Sequence, residues 1–141
     1  MAVPDARLHP VQAEGNAPLR RAWDRLAPDF DFDAAAANPD AYMEAWEDPH
    51  SLATGILDDI TYDWQPLLQR THATGGEPVV APESFIVQAH EMAHAHTDIP
   101  VCATGAAGLA GLLSSPPSSL LGDRSSSDVE RVALLFTGID R

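Results

Sequence analysis

Arg131-Val132-Ala133-Leu134-Leu135-Phe136-Thr137 holds the longest unbroken apolar run with strand character in the chain. A continuous run of this kind predicts a central parallel strand, because such a strand is covered on both faces and has no polar side to alternate with. Working back from it, residues 114 to 128 are rich in Ser and Pro and predict an exposed loop. Before that loop, Thr104-Gly105 opens a helix of small residues from Ala106 to Leu113, and Ile99-Pro100-Val101-Cys102 reads as extended. Pro82-Glu83-Ser84 leads into a helix running to about His96, with Ile86, Ala89 and Ala93 inward. Val79-Val80-Ala81 is a short buried strand. Asp63 caps a helix carrying Trp64, Leu67, Leu68 and Thr71 on one face, and Gly75-Gly76 stops it.

Toward the start, Leu8 to Ala13 is short and partly apolar, and Glu14-Gly15-Asn16 makes a turn with Asn16 as the N-cap of the next helix. Leu19, Ala22, Trp23 and Leu26 then follow at helical spacing. Residues 27 to 50 are acidic and alanine-rich and read as surface, apart from a short helix at Asn38-Pro39 carrying Tyr42, Met43 and Trp46. Residues 51 to 59 have no clear period. The alternation of strands and helices predicts an α/β chain, a three-layer αβα arrangement with a mostly parallel sheet. Strands at the two ends with two weak ones between make that sheet thin, as if part of it were missing.

The chain has 141 residues, at most one domain's worth, and 45% of them are hydrophobic, as in a folded chain. The net charge of −13 argues against nucleic acid and anionic membrane as partners, since both demand positive charge. No apolar run reaches the roughly 18 to 20 residues of a membrane span. No secretory signal is visible and the single cysteine, Cys102, has no partner within the chain; a cytoplasmic protein is the expectation. All eight basic residues are arginine. Any mechanism that needs a lysine amine is therefore closed to these residues acting alone.

Four segments, in order, carry a resemblance. They are Val11-Gln12-Ala13-Glu14-Gly15-Asn16-Ala17-Pro18-Leu19; Ser51-Leu52-Ala53-Thr54-Gly55-Ile56; Thr74-Gly75-Gly76 with Val79-Val80; and Thr104-Gly105-Ala106-Ala107-Gly108-Leu109-Ala110-Gly111-Leu112 with the later Phe136-Thr137-Gly138. This set resembles the C-terminal portion of threonine synthase and its relatives, in the fold group of the tryptophan synthase beta chain. The resemblance implies that residues 1–141 are the C-terminal part of a pyridoxal-phosphate (PLP) dependent catalytic domain. It implies amino-acid chemistry by β/γ elimination or replacement on a small amino-acid substrate, with room for a homo-oligomer in the complete enzyme.

The resemblance also assigns roles. Thr137, with Gly138 beside it, takes the position of the neutral hydroxyl that meets the pyridine nitrogen, an arrangement suited to elimination and replacement. Ala53, Thr54 and Gly55 correspond to a segment lying against the cofactor ring, and Thr104 faces the same place. Plainer readings stand beside these: Thr137 as a strand-end residue bonding to a turn, Gly55 as a turn glycine, and Thr104-Gly105 as a helix start. The family's Schiff-base lysine, its ring-facing asparagine and its glycine-rich phosphate cup have no counterpart in this sequence. The expectation is a chain inactive by itself, completed by a missing N-terminal half or a complementary chain.

A competing motif is His90-Glu91-Met92-Ala93-His94, which fits H-E-x-x-H. On a helix it sets two imidazoles one turn apart for zinc, with a glutamate to activate water. The longer version of the pattern would need Gly and His where Thr97 and Pro100 stand. Asp98 could complete a His90/His94/Asp98 set for a zinc-dependent hydrolase, and Glu130 follows the Ser/Pro loop. The plain alternative is a polar helix face. A third class, a non-enzymatic remnant or interaction piece, fits the same features.

Overall fold

The computed structural model describes residues 6–115 and 131–139. Within them the chain is mixed α/β. The elements are β1 (Val11–Ala13), α1 (Pro18–Leu26), α2 (Phe32–Ala37), α3 (Trp64–Ala73), β2 (Val79–Ala81), α4 (Glu83–His96) and α5 (Ala107–Ser114). Among the described residues the sheet is β1 and β2 alone, paired parallel with Val11 opposite Val79 and Ala13 opposite Ala81. The parallel pairing matches the expectation; a sheet flanked as the middle of three layers is not seen among these residues. Among the described residues no helix is long and apolar enough to cross a membrane.

The expected central strand at Val132–Phe136 is corrected. Positions 131–138 belong to no strand, and only Ile139 makes an isolated antiparallel bridge, to Val101. Apolar character makes a segment fit to be buried in a sheet, but a strand exists only where a neighbour presents matching N–H and C=O groups. Among the described residues no strand is paired with this segment. Val101, in the segment read as extended, makes that one bridge.

Helix positions agree well with the spacing, while their caps differ. In α1, Leu19, Ala22, Trp23 and Leu26 are the buried face, as the period requires. Pro18 takes the first helical position, where its missing N–H costs nothing, so Ala17 and not Asn16 is the N-cap. Asn16 stands one residue too early to cap and uses its side chain elsewhere. Asp63 is the N-cap residue of α3 but makes no side-chain capping bond. The C-terminus of α3 closes as expected: Gly75 adopts φ +71°, its N–H donates to His72, and the Gly76 N–H donates to Thr71 at 3.1 Å.

Two apolar clusters hold the described chain. One joins α1, α2 and α3 through Leu19, Trp23, Leu26, Ala35, Met43, Trp64 and Leu68. Ala35 lies in the core, where the sequence suggests surface because acidic residues surround it, and Met43, from the stretch read as a short helix, lies there too. Phe30 stacks on His72 with centroids 3.9 Å apart, tying the end of α1 to the last turn of α3. Arg25 reaches the Ala41 and Tyr42 carbonyls and the Glu44 carboxylate, and Arg21 caps the Glu44 carbonyl and lies over Trp46. The hydrogen bond and charge of Arg25 hold the Glu44 carboxyl below its ordinary range.

The second cluster joins α4 and α5 to the sheet, and eight of its ten buried residues are alanine. Small side chains let the two helices approach closely but bury little area apiece, so this side of the molecule gains modestly from burial. Gly111 shows how close the approach is: a Cβ there would stand 2.5 Å from a methyl of Val11, seating α5 directly on β1.

Candidate functional site

The C-terminal ends of parallel strands gather loops, and in open α/β sheets that edge is where ligands bind. Here Glu14-Gly15-Asn16 leaves β1 at this edge, and Pro82-Glu83 leaves β2. The segment 50–58 is drawn in between by a set of specific bonds. Asn16, fully buried, donates through Nδ2 to the carbonyls of Ile56 at 3.1 Å and Asp58 at 2.9 Å. The Glu83 carboxylate accepts from the Leu52 N–H at 2.7 Å. The Glu14 carboxylate accepts from the Glu83 N–H, also at 2.7 Å, and so caps α4 from outside the helix. Gly15 lies against the His50 backbone, whose N–H donates to the Gly15 carbonyl at 3.3 Å.

Held this way, the Ala53-Thr54-Gly55 segment forms a short 3₁₀ turn from Thr54 to Ile56, with Ala53 fully buried beneath it. The Gly55 N–H donates to the Thr104 hydroxyl at 2.9 Å, 49 residues away in sequence. The glycine is required by contact here, since a Cβ at Gly55 would stand 2.9 Å from the Thr104 methyl. Thr104 lies in the turn that precedes α5, whose N-cap is Ala106. Gly138 closes on the same turn from the other side: its carbonyl accepts from the Cys102 N–H at 3.2 Å, and a Cβ on Gly105 would stand 2.4 Å from that oxygen.

The structure therefore brings Gly55, Thr104 and Gly138 to one turn. Thr137, beside Gly138, is exposed and does not end a strand, which corrects the expected placement at a strand terminus. Its backbone is positioned by the Gly138 contact instead. Sequence inspection had not singled out Glu14 or Glu83, whose carboxylates hold the loop. The only signal for them was their place immediately after β1 and at the first position of α4.

Replacing Gly105 with alanine should detach residues 131–139 from this turn. The obstruction is the Gly138 backbone, so the last segment must move and the Cys102–Gly138 bond must break. The expected result is at least about tenfold faster amide exchange at Cys102, with a stability loss of about 1 to 3 kcal/mol. Unchanged exchange at Cys102 would show that the contact does not hold the segment.

The H-E-x-x-H residues lie on α4. The His90 and His94 rings meet edge to face at 4.7 Å, and His94 Nε2 sits 2.8 Å from the Val101 carbonyl oxygen. That bond engages Nε2, one of the ring's two nitrogens. α4 ends at His96, and Thr97 is extended, so Asp98 falls off the helical face that carries the two histidines. Among the described residues no group of three His, Cys, Asp or Glu is gathered for a metal ion. Glu130 lies outside the described residues. Comparison of the chain with protein-family models and with curated proteins finds no match.

Proposed function

We propose that these residues are the C-terminal part of a PLP-dependent enzyme acting on amino acids by β/γ elimination or replacement, similar to threonine synthase. The observation that supports this most is the meeting of Gly55, Thr104 and Gly138 at one turn, beside the C-terminal ends of β1 and β2. Chain connectivity does not force segments 49 and 34 residues apart to meet there. Small residues and a hydroxyl on such an edge suit the approach of a flat aromatic ring.

The residues present do not suffice to hold the cofactor. There is no lysine to link it. Gly55 and Thr104 are bonded to each other, with no space for a ring between them. PLP, when bound, supplies the electron sink for this chemistry. The chain's own part is one wall of the site: Asn16 and Glu83 position the 52–58 loop, Thr104 fixes Gly55, and Thr137 offers a hydroxyl hydrogen bond to a ring nitrogen. The amine and the anion-binding loop come from a lysine-bearing polypeptide outside these 141 residues.

Two measurements test this. Incubated with PLP and reduced with borohydride, the isolated chain should acquire no stoichiometric adduct except at its N-terminal amine. Mixed with the lysine-bearing N-terminal part of a threonine synthase-like enzyme, it should retain about one PLP per pair, and Thr137→Val should weaken that retention by about 1 to 3 kcal/mol. An internal adduct on the isolated chain, or a pair that binds no PLP, overturns the reading.

A further inference from the structure

We draw no further inference here: the strongest candidate, the exposed apolar surface patch of Val132, Leu134 and Leu135 in the last described segment, carries nothing because nothing in the structure shows what covers it.

Discussion

Replacing Asn16 with aspartate is expected to destabilise the chain more than replacing it with alanine, although aspartate is nearly the same shape. Asn16 is fully buried and its Nδ2 supplies two donors, to the carbonyls of Ile56 and Asp58. Alanine removes the donors and leaves those carbonyls partly unsatisfied, a loss of about 2 kcal/mol. Aspartate removes the donors and also sets a carboxylate oxygen against the same two carbonyl oxygens, away from water. The loss should reach about 3 kcal/mol or more at neutral pH.

The sign of the pH dependence separates the two variants. A carboxyl in that place is easier to protonate in the folded than in the unfolded chain, so its folded pKa is raised. The penalty is full above the folded value and shrinks as the pH falls toward the unfolded one. Protonated, the carboxyl regains one O–H donor, so in acid Asn16→Asp should be the more stable of the two variants. Urea unfolding of wild type and both variants at neutral and acid pH measures this. Equal losses at both pH values would mean that the Asn16 amide does not hold the 56–58 backbone.

The neighbouring residue should be nearly as intolerant for a different reason. A Cβ on Gly15 would stand 2.0 Å from the His50 carbonyl oxygen and 3.0 Å from the His50 ring. The first obstruction is backbone and cannot swing aside like a side-chain end. Gly15→Ala must therefore push residues 50–58 away from the strand edge, with the His50–Gly15 hydrogen bond and the Asn16 bonds at risk together. A loss of about 2 to 3 kcal/mol is expected. Gly75→Ala is the comparison. Gly75 has φ +71°, and a Cβ there would meet only Arg7 Nε, at 3.9 Å, so alanine there suffers backbone strain alone, about 1 kcal/mol. If Gly15→Ala unfolds at the same urea concentration as wild type, the packing of the 50–58 loop on the Glu14–Asn16 turn is not what holds it.

The sequence alone determined the elements whose evidence is local. Leu19, Ala22, Trp23 and Leu26 could share a face only on a helix, and they do. Ile86, Ala89 and Ala93 point inward on α4 as their spacing demands. Gly75 and Gly76 end α3 because glycine accepts the left-handed turn at little cost. Gly55 and Thr104 are set side by side only by what the resemblance implies, not by any local pattern; in the structure they are hydrogen-bonded.

What tertiary structure decided is everything that depends on a partner far along the chain. Whether Val132–Phe136 is a strand turned on the presence of a neighbouring ladder, which no property of those five side chains can supply. Asn16 had the chemistry of an N-cap, and only the approach of Ile56 and Asp58, 40 and 42 residues away, drew its amide to a different task. Glu14 and Glu83 read as ordinary acidic residues until folding set each carboxylate against a backbone N–H 69 and 31 residues distant. A side chain's capacity for hydrogen bonding is written in its identity, but its partner is chosen by which backbone groups the packed elements leave unsatisfied within its reach.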